Sequence, residues 1–223
     1  MGDRNQLRFG ERHLRLFRKP CLEIGSRDEG FTVSFRQALA THPGEYVGID
    51  AIPGPGVDVA VDLVDDFARI SRILPGPFAT IFCLSVLEHS RQPFRMAENI
   101  QRLLETGGAL YVSVPFAWEI HSFPSDYWRF TPEAVRLLFP DIEFPPGQCA
   151  YHTQVEDDFR LLEEGPPRLG RALNAGSRRP RGALYRAASA WLGHSGWIRH
   201  TLPYDYLYPP VMVDMIGRKG RRG

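Results

Sequence analysis

The sequence predicts an α/β protein built on an open, mostly parallel sheet of seven strands, with helices on both faces and a C-terminal edge hairpin. Three observations predict it. Apolar runs of strand length recur at residues 21–24, 46–50, 57–63, 78–87 and 109–116, and helical spacing fills most of the gaps between them. The first run, Cys21-Leu22-Glu23-Ile24, ends in a turn opened by Gly25. The links are short, which lets successive parallel strands lie side by side through right-handed crossovers. A sheet of this kind is Rossmann-like.

Each element has its own justification. Residues 1–19 are polar and basic, with Leu14, Leu16 and Phe17 as packing points, so a frayed lead-in helix is expected. Phe31, Phe35, Ala38 and Leu39 recur at helical spacing until Thr41-His42-Pro43-Gly44 stops them. Tyr46 to Asp50 is a short strand ending in a carboxylate, and Val57 to Leu63 is a third strand ending near Asp62. Residues 64–74 make a modest helix, closed by Pro75-Gly76-Pro77. Phe78 to Leu87 is almost continuously apolar, as a central parallel strand buried on both faces requires. Pro93 suits the first turn of the next helix; Phe94, Ala97, Ile100, Leu103 and Leu104 form its inner face, and Gly107-Gly108 closes it. Ala109 to Phe116 is a fifth strand, and Thr131-Pro132 opens a helix with an N-cap and a first-turn proline. Residues 206–220 read as a final edge strand with a ragged start at Pro209-Pro210.

The chain thus divides into a lead-in (1–19), one sheet domain (20–150 and 205–219) and a basic, irregular or helical insertion (151–204). Residues 165–204 hold seven Arg and no Asp or Glu. A solvated lid is the leading reading of that block. Weak association with an anionic membrane comes second, because Leu184, Trp191, Leu192 and Trp197 supply an apolar face beside the arginines. Nucleic acid ranks last, since the net charge of +1 leaves no matching basic surface elsewhere.

A chain of 223 residues suits one domain of ordinary core size. Cys21, Cys83 and Cys149 are odd in number, far apart and without metal-ligand spacing, so buried reduced thiols in a cytoplasmic protein are expected. No signal sequence is legible, and no uncharged apolar run approaches the roughly 18 residues of a membrane span.

In an open parallel sheet the ligand lies outside the carboxyl ends of the strands, at the point where strand order reverses. The residues at those ends are Gly25 and its turn, Asp50, Asp62, Leu84 to His89, and Pro115 onward. A carboxylate such as Asp50 can accept two hydrogen bonds from a ribose diol, and Asp62 could accept from an exocyclic amine. Glu23 beside the turn could oppose a cationic group. The plainer readings are a buried, backbone-satisfied Glu23, a turn-stabilising Asp50, a solvated acidic face at Asp62, and a helix-entry cap at Glu88-His89.

These residues carry a resemblance. The chain is similar to the class I S-adenosylmethionine-dependent methyltransferases of the small bacterial type 11 kind. The similarity covers residues 20–140 and the closing strand: "CLEIGSRDEG" (21–30), "YVGID" (46–50), "VDVAVDL" (57–63), and the stretch from "TIFCLSVLEHS" to "LLETGGALYVSVPF". It implies S-adenosylmethionine as cofactor, held by Glu23, Gly25, Ser26, Asp50, Ala51, Asp62, Leu63, Leu84, Ser85 and Glu88. "HSFPSDYWRFTPEAVRLLF" (121–139) is similar to a subgroup associated with sugar modification, which implies a hydroxyl acceptor on a sugar, glycolipid or other small molecule. A hydroxyl must lose its proton, and His89, His121 and Asp126 are the candidates to take it; no metal is required. The rival reading of the last region is a packed aromatic corner with an Asp126–Arg129 ion pair.

The opening loop departs from the family pattern. Where the family has Gly-x-Gly-x-Gly, this chain has Gly25, Arg27 and Glu29, with Gly30 one place late. Arg27 turning outward would keep such a loop working. The alternative is a catalytically inactive member of the fold that serves as a binding or scaffold partner. A nicotinamide-dependent oxidoreductase needs Gly-x-Gly-x-x-Gly here, which Gly25-Ser26-Arg27 does not supply.

Overall fold

The computed structural model describes residues 4–30, 34–121, 125–165 and 211–220. The strands are β1 (Cys21–Ile24), β2 (Tyr46–Asp50), β3 (Val59–Ala60), β4 (Phe78–Leu84), β5 (Leu104–Ala117), β6 (Ile142–Glu143), β7 (Cys149–Thr153), β8 (Phe159–Leu161) and β9 (Val211–Lys219). Four helices accompany them: α1 (Arg4–Glu11), α2 (Phe67–Ile73), α3 (Pro93–Leu103) and α4 (Pro132–Leu138). The strands run in the order β3-β2-β1-β4-β5-β9-β7-β8, with β6 also paired to β9. From β3 to β5 every pairing is parallel, and those of β9 with β5 and β7 are antiparallel. The expected Rossmann-like class holds, with two short strands beyond the expected seven.

Strand alternation sends side chains to two cores. Leu22, Ile81, Cys83, Leu110, Val112, Val213 and Met215 point to the side covered by Ala97, Ile100 and Leu103 of α3 and Val135 and Leu138 of α4. Cys21, Phe82, Leu84, Tyr111 and Ile216 point to the other, where Phe9 of α1, Phe17, Phe35 and Leu39 close the layer. There Phe35 stacks on Phe82 with ring centroids 4.7 Å apart. Each such fully buried aromatic or aliphatic side chain stabilises by about 1.5–3 kcal/mol. Thr131 caps α4 as expected, its hydroxyl accepting the Ala134 N–H at 3.1 Å.

Three elements differ from the sequence reading. Residues 34–43 form successive turns instead of a helix: Leu39 N–H bonds Phe35 C=O, but Ala40 and His42 bond three residues back. Pro43 and Gly44 (φ +106°) end the segment, and Phe35 and Leu39 are still fully buried. The C-terminal strand is not at the edge. β7 pairs along the far side of β9, and Val211 to Gly217 are all buried, so the edge hairpin is β7–β8. Residues 151–161 therefore belong to the sheet and not to the insertion. The rest of that insertion, 166–204, lies outside the described residues, as do the membrane and lid readings placed on it.

The lead-in also does more than fray. Asn5, Gln6, Phe9 and Gly10 of α1 are buried, and Asn5 Nδ2 donates to the Thr153 carbonyl at 2.8 Å. Among the described residues no helix is long and apolar enough to cross a membrane. Cys21, Cys83 and Cys149 are free and buried, and burial pushes the thiols of Cys21 and Cys149 up to about 11 and about 12.

Candidate active site

Strand order reverses between β1 and β4, and a cavity of about 620 Å³ opens there at the strands' carboxyl ends. Its volume is that of a small-molecule site. Of the residues expected at the site, Gly25, Asp50, Ala51, Asp62, Leu63, Ser85 and His89 line it. Ile24, Ile49, Val61 and Met96 give it an apolar floor.

The turn after β1 is tied to β2, because the N–H groups of Gly25 and Ser26 both donate to the Ile49 carbonyl, at 2.8 and 3.0 Å. Gly25 sits at φ +74°, and a Cβ there would lie 2.5 Å from Val86 Cγ2. Ser26 tucks onto two glycines of the facing segment: a Cβ at Gly48 would meet its Oγ at 2.7 Å, and one at Gly56 its carbonyl at 2.5 Å. Arg27 does not turn outward. Its side chain lies over Gly54, pairs with Glu29 at 2.9 Å, and both line the cavity. Gly48 of β2 and Gly54 and Gly56 of the facing turn leave the room that Ser26 and Arg27 occupy.

Two carboxylates project at the next strand ends. Asp50 Oδ1 accepts the Ile52 N–H at 2.9 Å, and Asp62 Oδ1 accepts the Val64 N–H at 3.0 Å. Each therefore orders its own turn with one oxygen. Glu23, Ser26, Leu84 and Glu88 do not line the cavity. Glu23 is buried, accepts from Ser34 Oγ at 2.7 Å, and is held above the usual carboxylate range by burial. Leu84 belongs to the core of the α1 side.

Ser85 follows β4 at φ +53°, a conformation rare outside glycine and common where a site holds strain. Its N–H donates to Ser113 C=O at 2.8 Å. Gln6, fully buried, donates from Nε2 to the hydroxyls of Ser85 and Ser113 at 2.8 and 2.9 Å. Tyr111 OH extends the chain to the Gln6 carbonyl and to Asp214, which also pairs with the buried His152. The sequence reading missed Gln6; its only signal is a carboxamide on the helix face that carries Phe9.

The second wall comes from the segment after β5. Residues 125–130 are laced over 87–91: Tyr127 N–H donates to Glu88 C=O at 2.8 Å, Trp128 Nε1 to Ser90 C=O at 2.8 Å, and Arg91 Nε to Tyr127 OH at 2.8 Å. Ser125 and Tyr127 line the cavity opposite Gly25 and Asp50, and Ser125 was not foreseen. His89 joins them, with Nδ1 2.5 Å from the Ser125 carbonyl and burial holding the imidazole below its ordinary range. His121 and Asp126 stand behind this wall and do not line the cavity. Arg129 grips Asp126 at 2.5 and 2.7 Å, and the His121 N–H donates to it at 2.9 Å. The Arg129 guanidinium holds the Asp126 carboxyl well below the usual range. The aromatic-corner reading fits these contacts, and Asp126 orients neighbours.

With this geometry the comparisons agree. Residues 3–155 match the family described as methyltransferase domain. A solved S-adenosylmethionine-dependent methyltransferase from Archaeoglobus fulgidus superposes with a TM-score of 0.55 at 13% identity, over 96% of this chain and 93% of that one. The 1,6-didemethyltoxoflavin-N1-methyltransferase of Burkholderia thailandensis, solved with S-adenosylhomocysteine, gives 0.53 at 13% identity, over 97% and 77%. A tRNA U34 carboxymethyltransferase of Campylobacter concisus is 31% identical over 90 residues, which are 39% of this chain and 29% of that protein. The match thus spans less than a third of that relative. The likeness to these solved structures is one of fold. The chain belongs to the methyltransferase-domain family.

Proposed function

We propose that the protein transfers a methyl group in line to a hydroxyl of a sugar, glycolipid or other small molecule. One observation carries this reading: a single cavity has the strand-end residues Gly25, Asp50, Asp62 and Ser85 on one side and His89, Ser125 and Tyr127 on the other. The first wall has the donor set for a nucleoside sulfonium. Asp50 would take the ribose hydroxyls, Asp62 the adenine edge, and the apolar floor the adenine face. S-adenosylmethionine, when bound, supplies an already activated methyl, so the protein's share is alignment and exclusion of water.

The second wall would receive the acceptor. His89 has its Nδ1 committed to the Ser125 carbonyl, which leaves Nε2 to accept a proton from a hydroxyl. Trp128 and Tyr127 are about 40% exposed beside this wall (40% and 42%) and offer faces on which a sugar ring can pack. A reducing compartment such as the cytoplasm suits the three free buried thiols.

The test is calorimetric titration with S-adenosylmethionine and S-adenosylhomocysteine, followed by transfer of labelled methyl to a panel of saccharides, glycolipids, tRNA and small hydroxylated or amine acceptors. Micromolar cofactor binding with label on a saccharide or lipid hydroxyl supports the reading. Label on nitrogen or on tRNA replaces the acceptor class, and absence of cofactor binding in folded protein favours a scaffold.

A further inference from the structure

Behind the second wall, the turn after β4 and the segment after β5 bring Glu88, His89 and His121 together. Each offers one ligand-type atom, and these atoms all lie within 4.8 Å of one another. His89 Nε2 is 3.9 Å from Glu88 Oε1, and the two imidazole rings meet edge to face with centroids 5.1 Å apart. Glu88 is 1% exposed, yet neither of its carboxylate oxygens has a hydrogen-bond partner, and His89 Nε2 is likewise buried without one. Burial pushes the Glu88 carboxyl up to about 8, and the Arg129 guanidinium that acts on it is already gripped by Asp126.

The outer contacts of the two imidazoles are those of ligands. His89 Nδ1 faces the Ser125 carbonyl at 2.5 Å, and His121 Nδ1 faces Asp126 Oδ2 and the Glu119 carbonyl, each at 3.2 Å. Acceptors at Nδ1 fix the proton there and leave the Nε2 lone pair for a metal, the arrangement in which a carboxylate or carbonyl supports a metal-bound histidine. We propose that Glu88, His89 and His121 bind a divalent ion of the zinc class, with at least one coordination position left for water or another oxygen.

Two nitrogens and one carboxylate suit Zn²⁺, Co²⁺ or Ni²⁺ over Mg²⁺ and Ca²⁺, which favour oxygen alone. Tetrahedral bonds of about 2.0–2.1 Å put ligand atoms roughly 3.4 Å apart, so the three side chains draw together by about an ångström on binding. The ion also supplies the positive charge that Glu88 lacks. Nothing in the spacing of the sequence signals this site, because His121 reaches it only through the fold. A bound ion would take the His89 lone pair, so on any one molecule that imidazole serves either as ligand or as general base. Binding itself needs neither cofactor nor acceptor, so it is testable apart from the acceptor reading.

The experiment uses untagged full-length protein treated with a chelator and then titrated with Co²⁺, followed by displacement with Zn²⁺. The expected result is one equivalent of Co²⁺ with visible d–d absorption, lost on adding Zn²⁺ and unaffected by Mg²⁺. Glu88→Gln and His121→Ala should each weaken binding by at least about tenfold, and His42→Ala should not change it. His121→Cys, in protein whose urea melt matches the parent so that Cys21, Cys83 and Cys149 stay buried, should keep the ion and add a sulfur-to-cobalt charge-transfer band. Absence of saturable Co²⁺ binding, binding that ignores Glu88→Gln and His121→Ala in folded protein, or a His121→Cys complex without the new band overturns the site.

Discussion

Asp50 carries the sharpest test of the cofactor assignment. Its side chain already makes one bond, from Oδ1 to the Ile52 N–H at 2.9 Å, and this orders the turn between β2 and β3. The second oxygen is the one that would receive a ribose hydroxyl. A hydrogen bond to a charged acceptor is worth about 1.5–3 kcal/mol, so Asp50→Ala should weaken S-adenosylhomocysteine by about 10- to 150-fold. The same substitution removes the acceptor of Ile52 and costs about 0.5–1.5 kcal/mol of stability, a separate effect that a urea melt reads. Asp50→Asn separates the two. It keeps an oxygen for Ile52 and loses the charge, so stability should hold while affinity falls about 5-fold, the roughly 1 kcal/mol by which a charged acceptor exceeds a neutral one. The assay is calorimetric titration of all three proteins under one buffer. Unchanged affinity in folded Asp50→Ala would place the nucleoside elsewhere and refute the assignment of this strand end.

Two further perturbations test how the site is built. Gly25→Ala should cost about 1–2 kcal/mol from its φ of +74° and more from the approach of its Cβ to Val86 Cγ2 at 2.5 Å; adding Val86→Ala should recover only the steric part in a thermal melt, and a neutral Gly25→Ala would show that the turn is not fixed as described. His152→Leu removes a fully buried partner of Asp214 and should cost about 1–3 kcal/mol in urea unfolding. The double variant His152→Leu with Asp214→Leu should cost less than the single one, and equal or greater loss would contradict a pairing role.

How much of this was legible in the sequence depends on the distance over which each feature is encoded. β1, β2, β4 and β5 announced themselves because a parallel strand buried on both faces is apolar at nearly every position, as Phe78 to Leu84 are apart from Thr80. Gly25, Asp50, Asp62 and Ser85 followed, since a residue at a strand's carboxyl end is placed by the strand. β9 was recognised as a strand but misplaced. Its neighbour on one side is β7, and nothing local to Val211–Lys219 encodes the pairing, although burial on both faces should have argued for an interior position. Phe35 and Leu39 carried a helical spacing that a single four-residue-back turn, followed by three-residue-back turns, satisfies equally well.

The opening loop shows the same distinction at the site itself. Judged on residues 25–30 alone, Arg27 and Glu29 stand where glycines serve a close backbone approach. The requirement, however, falls on pairs of segments, and either member can lack the side chain. Here Gly48, Gly54 and Gly56 admit Ser26 and Arg27, so the turn after β1 keeps its path and gains a charged pair at the cavity. An Arg27→Gly substitution would therefore not restore a missing feature; it would remove the Glu29 partner and the cover over Gly54. Behind the same wall, Gln6 works in the opposite sense. Its carboxamide bridges Ser85 and Ser113 across β4 and β5 and holds Ser85 at φ +53°. The cavity's shape is thus set by contacts between segments that are remote in the chain, which is why strand ends could be named from sequence while the loop's fitness could not.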